Sequence, residues 1–219
     1  MLPQAFFDRP ADVVAEALVG KVIRRQFNGT WLAAAIVETE AYGGDKASHS
    51  YLGRTPSREA MWAKPGTIYM YHSRGGPSLN FSVAGGGCAV LVKSGRPWLD
   101  EMSGRDALGV MHRLNPGPRG LREDHRLLSG QTLLARALGL EVRGWNGKPL
   151  SKQGLYLEDT GYRPRALIKC CRLGIPAGRD EHLKLRFVDE EFARSATQNP
   201  LTRRSWAEGV DYERIVPRQ

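Results

Sequence analysis

The dipeptide Asn28-Gly29 lies between two apolar runs, "KVIRRQF" (21 to 27) and "TWLAAAIVETEAY" (30 to 42), and it turns the chain back on itself. A two-residue turn with positive φ at both central positions matches the twist of the flanking strands, and Asn-Gly accepts that conformation readily. An antiparallel hairpin is therefore the first fixed element. Its second arm ends on "VETEAY" (37 to 42), an unusual close for a half-buried strand. Side chains alternate along a strand, so Glu38, Glu40 and Tyr42 share one face and Val37, Thr39 and Ala41 the other, with same-face neighbours roughly 6 to 7 Å apart. Two carboxylates at that spacing can divide acid and base work, as on a glycosidic bond. Spacing alone leaves a solvated strand face as the alternative.

Upstream, "DRPADVVAEALVG" (8 to 20) predicts a helix entered at Asp8 or Arg9, with Pro10 in its first turn, Gly20 as its stop, and Val13, Val14, Ala17 and Leu18 buried. Downstream, a loop (43 to 66) precedes "TIYMYH" (67 to 72), "LNFSV" (79 to 83) and "CAVLVK" (88 to 93), an antiparallel meander broken by "SRGGPS" and "AGGG". Pro97 to Arg113 and Ser129 to Leu138 read as helices, the second capped by Ser129 and stopped by Gly139, with the basic loop "NPGPRGLREDHR" between them. "GLYLED", "RALIKCCRL" and "LKLRFV" add strands. The fold class is α+β: a single domain (1 to 193) with a curved, largely antiparallel sheet and surrounding helices. Residues 194 to 219, with Arg203, Arg204, Arg214 and Arg218 and few apolar residues, read as a basic tail, surface-bound or partly disordered.

Thirty-two Lys and Arg against 23 Asp and Glu give a formal charge of +9, which favours a polyanionic partner. Cys88, Cys170 and Cys171 make an odd count with no C-x-x-C pair, against a disulfide framework or a zinc site of the usual spacing. Cys170 and Cys171 would face opposite sides of a strand, as two packed thiols. The glycine-rich "SRGGPSLNFSVAGGG" matches no phosphate-loop pattern, which argues against nucleotide hydrolysis. No apolar run approaches the roughly 20 residues a bilayer needs, and the N-terminus lacks an export signal. A reducing cytoplasm is the expected location, at the nucleoid if the source is bacterial.

Tyr69 and Tyr71 in "TIYMYH" must point the same way and could stack on a planar ligand, though core packing is the commoner use of strand tyrosines. "HSRGGPS" (72 to 78) sets a cation at the tip of a glycine-rich turn, or is a plain hairpin loop. His49 in "KASHSYLG" could donate within a pocket or simply be solvated.

"FFDRPADVVAEALVGKVI", "NGTWLAAAIVETEAYGG", "ASHS", "KPGTIYMY", "LLSGQTLLARALGL" and "CCRLGIPAGRDEHLKLRF" follow one another in an order and spacing that resembles the alkyladenine (3-methyladenine) DNA glycosylase family, from about Leu2 to about Val188. The resemblance implies a fold related to the C-terminal domain of methionyl-tRNA formyltransferase. It also implies hydrolytic excision of alkylated or deaminated purines from duplex DNA by base flipping, without metal or cofactor, by a monomer that needs no membrane. It assigns Glu40 as the base that activates water, Tyr42 and Tyr71 as the aromatics enclosing the flipped purine, His49 as its donor, and Asn80 as the residue opposing guanine's exocyclic amine. Leu173 falls where a backbone carbonyl orients the water.

Two positions depart from the family pattern. Arg74 stands where a tyrosine commonly fills the gap left by the flipped base, and Lys93 stands where arginine commonly lies beside the water. Arginine can stack through its planar guanidinium, whereas lysine is a point charge on a flexible stem. Glu38 is open between a supporting charge beside Lys93 and an ion-pair partner. The rival function is a non-catalytic DNA- or RNA-binding or damage-recognition module.

Overall fold

The computed structural model describes residues 1–73, 75–118, 120–202 and 205–217. Asn28 and Gly29 turn with φ of 47° and 85°, joining β1 (Val22–Phe27) to β2 (Thr30–Tyr42) with Phe27 opposite Thr30. The expected meander is β3 (Ile68–Ser73), β4 (Gly76–Ser82) and β5 (Ala89–Pro97). Shorter strands follow: β6 (Leu155–Glu158), β7 (Leu167–Cys170), β8 (Arg186–Asp189) and β9 (Tyr212–Ile215). Among the described residues these make one sheet in the order β3-β4-β5-β2-β8-β7-β9, with β1 on β2 and β6 on β1. The strand pairings are antiparallel. Among the described residues five α-helices accompany them: α1 (Gln4–Phe7), α2 (Ala11–Leu18), α3 (Arg105–Leu114), α4 (Gln131–Ala137) and α5 (Val142–Trp145). The chain is a single α+β domain.

Val14 and Leu18 of α2, Leu134 of α4, Ile36 of β2 and Val90 and Val92 of β5 share one apolar core. Each such side chain contributes about 1.5–3 kcal/mol on burial. This core anchors the back of β2, and Thr39 adds a hydrogen bond from Oγ1 to the Ala15 carbonyl at 2.7 Å.

The geometry of β2 decides where the carboxylates go. Its first half pairs with β1 as far as Ala35, and from Glu38 to Glu40 the pairing passes to β8. The β5 partner runs alongside both halves, but its register slips at the changeover: Ile36 faces Gly95, Glu38 faces Ser94 and Thr39 faces Val92. Val37 and Lys93 are thereby left without an opposite residue. Bulges of this kind bend a strand and re-aim its side chains, and here the bulge lies beside both carboxylates.

Three expectations need correction. The helix expected over 97 to 113 begins only at Arg105, because β5 continues through Pro97. The Asp100 side chain then accepts from the Met102 and Ser103 amides, making a turn of the intervening residues. Ser129 does not cap α4; its hydroxyl donates to the Ala196 carbonyl at 2.8 Å. Within α2, Val14 and Leu18 are buried as expected, but Ala15 and Glu16 are buried while Val13 and Ala17 are half-buried.

Residues 194 to 219 are not simply a surface tail. Ser195, Ala196, Asn199 and Pro200 are buried, and β9 adds a strand beside β7. Ala193, Ala196 and Tyr212 join Val37, Ile168, Cys170 and Val188 in a second buried apolar cluster, and hydrogen bonds add to it. The Thr197 amide and hydroxyl donate to Glu38 at 2.8 and 2.7 Å, and Asn199 Nδ2 donates to the carbonyls of Ala193 and Thr197. Thr197→Val is expected to lower the unfolding free energy by about 1–3 kcal/mol, the cost of leaving buried acceptor capacity unmet, as read by urea denaturation.

Candidate active site

A cavity of about 580 Å³ opens in front of the β2–β5 bulge, and Tyr42, His49, Tyr71, Asn80, Lys93 and Leu173 all line it. That volume lies within the range of small-molecule sites. Glu40 has no solvent exposure and stands immediately behind this wall. Its Oε2 accepts from the Tyr42 hydroxyl at 2.6 Å, and its Oε1 accepts from the Leu173 amide at 3.2 Å and lies 3.3 Å from Lys93 Nζ. Burial alone would raise the carboxyl's pKa. The charges of Lys93 and Arg186, with the hydrogen bonds from Tyr42 and Leu173, outweigh burial and hold it below the ordinary carboxylate range. Glu40 is thus an anion at neutral pH.

Glu38 shares the face but not the cavity. Its two oxygens accept from Arg186 Nε (2.6 Å), Ser94 Oγ (2.6 Å) and the Thr197 amide and hydroxyl. Its ion-pair partner is Arg186, and both side chains have no solvent exposure. The ionic contact of Lys93 is with Glu40.

The aromatic wall is rigid. Tyr69, fully buried, holds His49 through a 2.8 Å hydrogen bond between its hydroxyl and Nδ1. Tyr71 packs with its ring centroid 4.4 Å from that of His49 and 5.4 Å from that of Tyr69. Burial, with the nearby charges of Arg58 and Arg179, lowers the His49 pKa, so the ring is neutral at physiological pH. Burial and the charge of Glu40 push the Tyr71 phenol up to about 12. On the other side, the Arg172 guanidinium lies 4.7 Å from the Tyr42 ring centroid and pairs with Asp45, fixing the loop that leads to His49. Asn80 Nδ2 donates to the Tyr69 carbonyl at 3.1 Å, which fixes the plane of its amide.

The turn between β3 and β4 is braced from α4. Gln131 Nε2 donates to Ser73 Oγ at 2.6 Å and Ser78 Oγ at 2.9 Å, and Arg136 donates to the Gly75 carbonyl at 2.8 Å. A Cβ on Gly76 would stand 2.7 Å from the Thr132 methyl group. Arg74, the expected wedge, lies outside the described residues.

Sequence reasoning missed Arg186, Arg172, Tyr69 as the support for His49, and Thr197. For Arg186 one signal existed, a cation set between Leu185 and Phe187 in the apolar run "LKLRFV". For Thr197 there was none.

Comparison with known proteins gives the family. The family model described as methylpurine-DNA glycosylase matches residues 5–192. A Pseudomonas aeruginosa protein (strain UCBPP-PA14) is 53% identical over 213 residues, covering 96% of this chain and 89% of its own. A protein of Pseudomonas syringae pv. tomato is 52% identical, covering 96% and 95%, and one of the archaeon Methanocella arvoryzae 36%, covering 87% and 92%. All three carry the name "Putative 3-methyladenine DNA glycosylase". With its cavity wall and buried carboxylate in place, the chain belongs to the methylpurine-DNA glycosylase family and is a DNA glycosylase, a hydrolase of DNA repair.

Proposed function

We propose that the protein excises alkylated or deaminated purines, of the 3-methyladenine, hypoxanthine and ethenoadenine class, from duplex DNA by flipping the nucleotide into the cavity. The observation that carries this reading is Glu40, a buried carboxylate hydrogen-bonded to Tyr42 and Leu173 of the wall of an aromatic pocket, in a chain of this family. Glu40 takes a proton from water as the water oxygen bonds to C1′ of the sugar and the bond from C1′ to the purine nitrogen breaks. The bonding electrons leave with the base. A purine already positively charged by alkylation departs readily. Hypoxanthine must gain a proton on leaving, and such transfers are typically worth about 10² to 10⁴ in rate.

The side chains supply the remaining functions. Tyr42 and Tyr71 enclose the flipped ring, and Arg172 supports one face of Tyr42. Aromatic stacking is worth roughly 1–3 kcal/mol per base and tolerates several base shapes. With Tyr69 donating to Nδ1, His49 carries its proton on Nε2 and offers it to the base. Asn80 opposes the exocyclic amine of guanine, and the Leu173 carbonyl orients the water. Lys93 closes over Glu40 in the free protein, and its flexible stem lets it move aside as water enters. Arg74 enters the minor groove and fills the gap left by the base.

The net charge of +9 supports a DNA partner, and among the described residues no helix is long and apolar enough to cross a membrane. We place the enzyme in the cytoplasm as a monomer, with kinship to the formyltransferase domain. The second reading, a binding module without turnover, shares the charge and predicts the same salt-weakened affinity.

Duplex oligonucleotides carrying one lesion each separate the two readings. The enzyme leaves abasic sites in at least one of them, and Glu40→Gln abolishes those sites while lesion binding persists. Absence of abasic sites across the whole panel leaves only the binding module, and cleavage lost with Glu38→Gln but retained with Glu40→Gln moves the base to Glu38. For the turn, Arg74→Ala is expected to slow excision from duplex more than from single strands, and equal slowing on both removes the wedge role.

A further inference from the structure

Arg186 is the largest fully buried side chain described in the protein, and it stands opposite Glu40 in the β2–β8 pairing. Its Nε is bound to Glu38, and its Nη2 donates to Thr197 Oγ1 at 3.1 Å and to the Gln198 carbonyl at 2.9 Å. Nη1 is buried with no hydrogen-bond partner. Stability alone accounts poorly for this arrangement. Buried ion pairs are often replaceable by apolar side chains at no loss, and an unmet guanidinium donor adds a further penalty.

The charges around Glu40 suggest another use. From its own strand it meets Glu38 and the Tyr42 hydroxyl; from β5, Lys93; from β8, Arg186; from β3, Tyr71; from β7, the Cys170 thiol; and after β7, the Leu173 amide. Only two of these groups are cations. Lys93 lines the cavity, is 13% exposed, and sits on a flexible stem at the point where water must enter. Arg186 is held on two sides and cannot leave.

We propose that Arg186 is a positioning residue for the excision reaction: clamped by Glu38 and by the Thr197–Gln198 segment, its guanidinium is the fixed counter-charge behind Glu40, retained when Lys93 swings aside. Glu38 is then the anchor of that cation, and residues 197 and 198 belong to the active site through it. This inference rests on Glu40 being the base. It assigns the two cations different duties, Lys93 the mobile one and Arg186 the permanent one.

The test is single-turnover excision by the full-length protein as a function of pH, on a duplex carrying the lesion of the panel that is cleaved fastest. Activity falls on the acid side as Glu40 takes up a proton, and the position of that limb is the readout. Arg186→Met alone would strand Glu38 and endanger folding, so the informative variant is Glu38→Gln/Arg186→Met, which removes both charges together. Relative to Glu38→Gln alone, its acid limb is expected to move to higher pH by about one unit or more, the effect of losing a nearby opposite charge. Glu38→Gln alone keeps the cation and is expected to show a limb no higher than wild type, and Arg186→Lys is expected to keep the wild-type limb. A double variant that loses the same factor at every pH, or a limb that rises with Glu38→Gln alone, overturns the proposal. If Glu40→Gln still excises, the assignment of the base fails instead, and the two failures are distinguished.

Discussion

Two carboxylates on one face of one strand, both shut away from water, are the constraint on which the site depends. At roughly 6 to 7 Å, two like charges repel by about 2–3 kcal/mol at the effective dielectric of a protein interior, and each also forfeits its hydration. The fold answers with matched donors rather than solvent. Glu38 accepts four hydrogen bonds, from Arg186, Ser94 and Thr197, and Glu40 accepts from Tyr42 and Leu173 beside Lys93. Two cations balance two anions, and neither carboxylate can be read without the other.

The same constraint explains why the sheet is built as it is. A regular β2–β5 pairing would set Lys93 opposite Glu38. The slip in register instead brings Ser94 to Glu38 and leaves Lys93 unpaired, free to reach Glu40. Because β1 gives way to β8 at the same point, Arg186 enters from the other edge of β2. The last turns of the chain then pack in, since Thr197 is needed to complete the shell of Glu38. One bulge and one change of neighbour thus divide the pair into a carboxylate bonded to the wall of the cavity and a carboxylate anchored in the interior.

Much of this was legible in the sequence where the signal was local. Asn28-Gly29 gave the hairpin, the apolar runs after it gave the meander, and strand parity placed Glu38 with Glu40 and Tyr69 with Tyr71. What parity could not supply was the slip in register, which depends on strands far apart in the chain. Nor could an apolar count find the packing of residues 195 to 200, because hydrogen bonds from Thr197 and Asn199 contribute much of it. Resemblance to the family directed attention to Tyr42, His49, Asn80, Lys93 and Leu173, and all five line one cavity. The supports beneath them, Tyr69 under His49 and Arg172 under Tyr42, required three dimensions.

Excision at this site depends most on the charge state of a carboxylate that no solvent touches. Carboxyl-region infrared difference spectra between wild type and Glu40→Gln, recorded on the DNA-free protein at neutral pH, report that state directly. The substitution is predicted to remove an ionised carboxylate band. Loss of a protonated carboxylic acid band would instead show that Glu40 is neutral in the free enzyme, and would contradict its role as the resident base.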